Sequence, residues 1–193
     1  IYTKEDFYKI NNDVSASYIL MNDLDFSEEE NFESIPEFSG IFDGNGHTIS
    51  SVHKKSDLQV GIFLELKNAE IRNLTVKNSN FDVVNYDTSS IGQLVCIGSI
   101  AASGENSVIE NITAENVIIS CKTNKKGARV GGIIGYGYAS GISLIGIDSA
   151  VDITITEAHS DVYTGGIAGD DYCYESNRRV ENCTFNGNIT VED

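Results

Sequence analysis

Three aspartates near the start of the sequence come closest to a metal-binding pattern. Asp23 and Asp25 lie two residues apart and would share one face of a strand, where they could meet Asp43 and offer oxygens to Ca²⁺. Calcium takes six to eight oxygen ligands, and segment 43–46 (Asp-Gly-Asn-Gly) lacks the closing glutamate of an EF-hand. This segment is instead typical of a tight turn, because glycine permits positive φ. The sequence therefore predicts no bound metal and no other cofactor. If a metal did bind, the three aspartates would be its candidate ligands.

The acidic pair Asp170 and Asp171 suggests a different chemistry. Preceded by Gly169, it resembles one piece of the polygalacturonase pattern, and glycoside hydrolysis needs two carboxyls that face one bond. The other pieces of that pattern, Asn-Thr-Asp, Gly-His-Gly and Arg-Ile-Lys, do not occur in the sequence. We therefore predict a solvated acidic loop and no enzyme activity. A carbohydrate-active enzyme, either a polysaccharide lyase or a hydrolase, is the alternative.

Two tyrosines, together with this acidic pair, are the candidates for ligand binding. Tyr172 and Tyr174 follow Asp170 and Asp171 in a loop expected at 170–175. Tyrosine offers a large apolar face and a polar tip, which suits contacts with a protein or a glycan. Further loops are expected at 84–90 and 122–127. The other interpretation is that these tyrosines only pack their own loop.

Charge and hydropathy limit the partners. The chain has 29 acidic and 13 basic residues and a formal net charge of −16, so its surface repels phosphate backbones and anionic membranes. No apolar run reaches the roughly 18 residues that a membrane span needs. We predict no nucleic-acid partner and no membrane insertion. A host protein or a glycan is the expected partner.

The four cysteines leave two interpretations open. Cys96 with Cys121, and Cys173 with Cys183, could form disulfides in an oxidising compartment, or each could be a small buried hydrophobe. No Cys-x-x-Cys occurs, which argues against zinc and thioredoxin-type redox sites. We favour burial for at least half of them, because Cys183 lies on an apolar position of an internal repeat.

An internal repeat supplies the elements that position these residues. Similar apolar segments begin at Ile71, Ile109, Ile142 and Val180. A glycine-led series alternates with them, beginning at Gly61, Gly98, Gly131 and Gly165. Each unit has about 35 residues in short β-branched runs bounded by turn residues, so it consists of strands. Stacked units would pair each strand with its equivalent one coil away and bury the isoleucines in an internal ladder.

Asparagine recurs at one position of this repeat. Asn73, Asn111 and Asn182 are equivalent, and asparagine tolerates the left-handed backbone, so a stacked turn ladder is predicted. Leu144 occupies the position in the third unit. We therefore expect the ladder to be interrupted there.

The two ends of the chain lead to different expectations. Residues 1–16 form a predicted N-terminal cap, in which Thr3 begins a short helix and Phe7 and Ile10 cover the first coil. Residues 17–193 form about five coils, and 1–193 is one domain. Segment 188–191 is a good strand with no cap after it, so we expect the natural protein to continue with more coils or another domain.

The order of the motifs resembles a known family. Segment 18–26 (Tyr-Ile-Leu-Met-Asn-Asp-Leu-Asp-Phe) is followed by 38–49 (Phe-Ser-Gly-Ile-Phe-Asp-Gly-Asn-Gly-His-Thr-Ile), 61–63 (Gly-Ile-Phe) and 71–74 (Ile-Arg-Asn-Leu). This order, over nearly the whole chain, resembles the GLUG-type β-helical regions of large bacterial surface proteins. Such regions occur in adhesins and in the non-catalytic region of IgA-specific metallopeptidases.

The resemblance implies an all-β fold, a right-handed parallel β-helix, in a secreted or cell-surface protein associated with the cell wall. It implies a structural or adhesive role and no catalytic residue. The metallopeptidase zinc motif His-Glu-x-x-His is missing, since His47, His53 and His159 are followed by Thr, Lys and Ser. We therefore predict a non-catalytic, structural or ligand-binding β-helix module.

Overall fold

Short β-branched runs between glycine, asparagine and serine favour brief strands, and the chain folds accordingly. The computed structural model describes residues 1–85, 94–123, 127–158, 161–174 and 178–192. Helix α1 spans Lys4–Tyr8, and a 3₁₀ turn spans Lys9–Asn12. The strands are β1 (Ser17–Ile19), β2 (Leu24–Asp25), β3 (Ile41–Asp43), β4 (Thr48–Ser50), β5 (His53–Ser56), β6 (Gln59–Val60), β7 (Phe63–Lys67), β8 (Glu70–Asn85), β9 (Cys96–Ile97), β10 (Ala101–Glu105), β11 (Ser107–Thr123), β12 (Ala128–Gly131), β13 (Ile134–Gly137), β14 (Ile142–Thr156), β15 (Val162–Gly165), β16 (Ala168–Asp171), β17 (Val180–Glu181), β18 (Thr184–Phe185) and β19 (Ile189–Glu192).

The described strands form three parallel sheets. The long sheet has the order β1, β3, β8, β11, β14, β17, and β2, β4, β5, β18 and β19 pair alongside. The first short sheet contains β6, β9, β12 and β15, and the second short sheet contains β7, β10, β13 and β16. The chain visits the first short sheet, the second short sheet and the long sheet in turn, and then repeats. This arrangement is a parallel β-helix and confirms the predicted fold class.

The number of regular coils is smaller than predicted. About three complete turns connect β8, β11, β14 and the final strands, where five coils were expected. The difference arises before β6, where the coils are shorter and the named strands β1 to β5 all belong to the long sheet. Single bridges from Ile35 to Phe63 and from Phe38 to Leu66 mark the place of a further short-sheet strand there.

Equivalent side chains stack into buried columns inside the coil. Ile71, Ile109 and Leu144 are in register across β8, β11 and β14, and each is at most 4% exposed. Phe81 and Ile119 form part of a second fully buried column. Burying one such side chain stabilises the fold by about 1.5–3 kcal/mol, and no coil can do so without its neighbours.

The N-terminal helix closes the first coil, as predicted. The Thr3 hydroxyl accepts a hydrogen bond from the Asp6 amide at 3.2 Å, which begins the helix. Phe7 and Ile10 are fully buried, and the ring centroids of Phe7 and Phe26 lie 5.7 Å apart, edge to face. In the described part of the chain, no helix has both the length and the apolar character needed to cross a bilayer.

A ladder of asparagines marks a bend in the long sheet, and it is interrupted in the third unit as predicted, although by Gly146 and not by Leu144. Asn73 and Asn111 both have φ of 53°, and the Asn111 side-chain amide donates to Asn73 Oδ1 at 3.2 Å. The register pairs Ile109 with Leu144, which places Gly146 at the next ladder position. Gly146 has φ of 62°, which glycine adopts without steric cost. The backbone bend therefore continues where the side-chain ladder stops.

Shortening a side chain in a buried column should destabilise the solenoid. Ile119 is fully buried, whereas its neighbour Ile118 is 45% exposed on the opposite face of β11. We expect Ile119→Ala to lower the free energy of unfolding by about 2–5 kcal/mol, because it leaves a cavity, and Ile118→Ala by less than about 1 kcal/mol. Urea unfolding followed by circular dichroism measures both. Equal losses would contradict the assignment of the interior.

The left-handed backbone conformation at Asn111 leads to a prediction for two substitutions. Asn111→Val forces a β-branched residue into φ of 53° and should cost about 1–3 kcal/mol. Asn111→Gly loses only the ladder hydrogen bond, so its cost should stay near 1 kcal/mol or below. Thermal unfolding of both variants separates the two effects. A valine variant as stable as the glycine variant would show that this conformation carries no constraint.

Candidate functional site

A concave groove runs along the solenoid where the outer faces of the two short sheets meet, and we refer to it as the groove. Glycines allow this corner to be sharp. A β-carbon on Gly98 would lie 2.3 Å from the Ala101 carbonyl oxygen, and one on Gly135 would lie 2.6 Å from the Ile97 amide nitrogen. Both distances are below real van der Waals contact, so only glycine lets the two backbones approach so closely. Much of the glycine-led series in the sequence therefore marks the corner of the groove.

Two columns of side chains form the walls of the groove. The first wall, on the first short sheet, consists of Gln59, Cys96, Arg129 and Tyr163. The second wall, on the second short sheet, consists of Glu65, Ser103, Tyr136 and Asp170. Parallel pairing places successive members about 4.8 Å apart. The walls therefore match layer by layer along the coil axis.

A cavity opens where both walls carry small side chains. Cys96 and Ser103 occupy the second layer, between the larger Gln59 and Glu65 of the first layer and Tyr136 of the third. The cavity has a volume of about 620 Å³ and opens to solvent. Small-molecule sites in proteins typically measure about 300–1,000 Å³, so the space is of the right size for a ligand.

The lining of this cavity combines apolar, aromatic and polar groups. Its apolar part comes from Leu58, Leu64 and Leu94. The rings of Tyr136 and Tyr138 also line it, with their centroids 5.8 Å apart and their planes tilted by 31°. Its polar groups, apart from the tyrosine hydroxyls, belong to Ser56, Gln59, Glu65 and Ser103. An apolar surface with a few polar groups is the usual composition of a ligand site.

Glu65 is held in place by two hydrogen-bonding partners. The Tyr138 hydroxyl donates to Glu65 Oε1 at 2.5 Å, and Lys67 Nζ lies 2.9 Å from Glu65 Oε2. Burial by itself would raise the pKa of Glu65, but these two bonds outweigh it and hold the pKa below its ordinary value. Burial, followed by the bond to Glu65, raises the pKa of Tyr138. Glu65 is therefore ionised at neutral pH, while Tyr138 keeps its proton.

Arg129 spans the groove from one wall to the other. Its Nε lies 3.0 Å from Asp170 Oδ2 on the second wall, and its Nη1 donates to the Gly127 carbonyl oxygen at 2.8 Å. The guanidinium also stacks 4.2 Å from the ring centroid of Tyr136 and 5.4 Å from that of Tyr163. These contacts leave the Arg129 side chain only 15% exposed.

The acidic and aromatic candidates at 170–174 separate in the structure. Asp170 belongs to the second wall and pairs with Arg129, whereas Asp171 pairs with the guanidinium of Arg178. Tyr172 and Tyr174 lie beyond the end of β16, 55% and 79% exposed, with ring centroids 5.0 Å apart. They contact each other and line no part of the cavity. Of the four candidates, Asp170 is therefore the one that belongs to a wall of the groove.

The three aspartates proposed as calcium ligands do not meet. Asp23 Oδ1 lies 3.0 Å from His47 Nδ1, Asp25 Oδ1 accepts the Ser27 amide at 3.0 Å, and Asp43 pairs with an arginine. Among the described residues, no group of three acidic, histidine or cysteine side chains could hold a metal ion. The three candidate ligands therefore do not form a common site, because each carboxylate is held by a different partner.

Parts of the predicted loops lie outside the described residues. These parts are 86–90 of the loop at 84–90, 124–126 of the loop at 122–127, and residue 175 of the loop at 170–175. His159 also lies outside them.

Sequence reasoning missed the residues that form the cavity. Tyr136 directly follows Gly135 of the corner, and Ser103 and Glu65 occupy the same position in earlier coils. The available signal was their fixed distance from the glycine-led series. This signal became interpretable only once the strand register showed that the corner is concave and that the outer faces of the two short sheets meet there.

Comparison with known proteins leaves this description unchanged. No protein-family model matches the chain, and no curated protein matches it significantly. A crystal structure from Bacteroides ovatus, described as a "putative immunoglobulin A1 protease", is 16% identical to this chain, with a TM-score of 0.47, and the match covers 100% of this chain and 83% of that one. Similarity at this level supports no inference about the fold or the function of this chain. The parallel solenoid, which is what the resemblance to GLUG-type regions implied, rests on the strand pairing.

The structure has four free cysteines, which leads to a labelling prediction. Cys96 and Cys121 are buried, which confirms the small-hydrophobe interpretation for these two, and burial raises the pKa of each thiol to about 12. Because the thiolate is the nucleophile, iodoacetamide at pH 8 should modify the half-buried Cys173 and Cys183 well before them. Mass spectrometry with and without urea measures this order. Fast native modification of Cys96 would contradict its burial.

The same two pKa shifts predict how stability depends on pH. In the unfolded chain these thiols lose their protons near their ordinary pKa of 9.0, whereas the folded protein keeps them up to about pH 12. The folded state then binds more protons, so the free energy of unfolding should fall as pH rises from about 9 to 12. Urea unfolding of Cys121→Ser and the unchanged protein across this range tests the sign. A slope that does not flatten in the variant would contradict it.

Proposed function

We propose that this β-helix is a non-catalytic module that binds a glycan in the groove. The observation that carries the proposal is the cavity of about 620 Å³ walled by Tyr136 and Tyr138. A sugar ring has apolar C–H faces and a rim of hydroxyls. Tyrosine rings suit the faces, and serine, glutamine and carboxylate groups suit the hydroxyls. Both kinds of group converge in this one cavity.

The positions of the carboxylates favour binding over hydrolysis. Glu65 is the one carboxylate among the described residues that line the cavity. Asp170 lies three layers away on the same wall, about 14 Å between backbones at the spacing of paired strands. Glycoside hydrolases hold their two carboxyls about 5–9.5 Å apart. Hydrogen bonds also engage Glu65 with Tyr138 and Asp170 with Arg129, so each carboxylate is already held by a partner of its own.

The cellular setting of this module is part of the proposal. We place it in a secreted or cell-surface protein, joined to further domains of the same polypeptide. The support is the resemblance of its motifs to bacterial surface proteins and the acidic surface, with a net charge of −16, which suits a soluble module. A glycan is preferred to a host protein because the cavity is small and concave, whereas protein interfaces of standard size bury about 800 Å² on each partner.

Removing one wall of the cavity should weaken glycan binding. A glycan array identifies the best neutral oligosaccharide, and titration calorimetry measures its affinity. We expect Tyr136→Ala to reduce that affinity on the order of 10-fold or more, because it removes an aromatic face of the cavity. Tyr2→Ala is the matched control, since Tyr2 is 60% exposed in the N-terminal cap.

Three outcomes would argue against this function. Equal affinities of the Tyr136 and Tyr2 variants would place any binding outside the cavity. Cleavage of the bound oligosaccharide would favour the alternative enzyme. Binding of proteins with no glycan binding at all would favour a protein partner. Circular dichroism of each variant establishes that the solenoid is intact.

A further inference from the structure

We propose that the Arg129–Asp170 ion pair closes the groove on its C-terminal side, so that the cavity receives the end of an uncharged glycan. A polymer lying along the whole groove would not fit. This inference rests on the proposed function and specifies which part of a glycan binds. It follows from the contacts of Arg129 and from the charges around the cavity.

The closure follows from the position of Arg129 in the third layer. Its side chain leaves the first wall and ends against Asp170 and Tyr136 of the second wall, at 3.0 Å and 4.2 Å. The cavity lies on the N-terminal side of this bridge and extends from Tyr136 back to Gln59. A chain running along the coil axis would have to pass through the guanidinium. The bridge therefore ends the accessible part of the groove.

Several independent contacts resist opening of this bridge. The ion pair, the hydrogen bond to the Gly127 carbonyl oxygen and the stacking on two tyrosine rings all hold the same guanidinium. Charge-assisted hydrogen bonds and stacked arginine side chains with little exposure are stronger than surface ion pairs. A ligand would have to replace all of them to pass. The bridge is therefore a fixed end wall.

The charges near the cavity favour an uncharged glycan. Glu65 faces it as a carboxylate, and its partner Lys67 is shared with Glu37 at 2.8 Å, so this cluster keeps a net negative charge. The guanidinium of Arg129 is already compensated by Asp170. An acidic sugar would meet repulsion from Glu65 and find no free cation among the described residues that line the cavity. Neutral pyranoses need only the hydroxyl and amide partners that the cavity supplies.

The test compares affinity with oligosaccharide length. The probes are disaccharides to octasaccharides of glucose, galactose and N-acetylglucosamine, with oligogalacturonates of equal length as the acidic series. In the unchanged protein, affinity for the best neutral series should reach a plateau at short length, and the oligogalacturonates should bind at least about 10-fold more weakly. In Arg129→Ala combined with Asp170→Ala, the ratio of octasaccharide to disaccharide affinity should rise by about 10-fold.

The control variant combines Arg179→Ala with Glu181→Ala. This removes another arginine–carboxylate pair, at 2.7 Å between Nε and Oε1, from the long sheet. Its length dependence should match that of the unchanged protein. If the first double variant does not fold, the single variant Arg129→Ala removes the side chain that spans the groove and carries the same expectation. Circular dichroism and melting temperature establish folding for each protein.

The outcomes separate this inference from the proposed function. Affinity that keeps rising with oligosaccharide length in the unchanged protein would show that the groove is not closed. A plateau of affinity that persists in the variant without the bridge would show the same. Preferred binding of oligogalacturonates would contradict the inference that the glycan is uncharged. In those cases glycan binding itself, with its dependence on Tyr136, still stands. If no glycan binds, the proposed function and this inference fail together.

Discussion

Parallel hydrogen bonding between successive coils is the constraint on which the rest of this structure depends. Each strand bonds to its equivalent about 4.8 Å away, so residues at equivalent positions must stack. Inside the coil, stacking turns Ile71, Ile109 and Leu144 into one buried column. At the bend, it aligns Asn111 with Asn73 in a ladder of hydrogen bonds. A side chain therefore matters chiefly through the column to which it belongs.

The groove is a consequence of the same rule on the outer surface. Glycine at the corner lets the two short sheets approach, and their outward columns become facing walls. A wall of uniform side chains would leave an even surface. The cavity exists because Cys96 and Ser103 are small in the layer between larger residues, and because Arg129 bridges the walls beyond Tyr136. Function in such a solenoid arises from local departures from the repeat.

The sequence-based expectations were correct where the repeat units were aligned in the right register, and an error of one or two residues was enough to make them wrong. The apolar and glycine periods were sufficient to predict a parallel solenoid and a cap in which Phe7 and Ile10 are buried. The third unit was misaligned by two residues, since its true start is Leu144, so the interruption of the asparagine ladder was predicted correctly but assigned to Leu144 and not to Gly146. The coil count was too high because the shorter N-terminal coils were treated as full ones.

The sequence by itself determined the architecture, since β-branched runs at a constant period can bury their apolar faces only by stacking in parallel. It also determined that Asp170 carries a charge next to aromatic residues. Only the tertiary structure decided that Asp170 would meet Arg129 across a groove and that Tyr172 and Tyr174 would not line the cavity. These contacts join residues from different coils. Their distance depends on the angle between two sheets, which no local pattern of residues records.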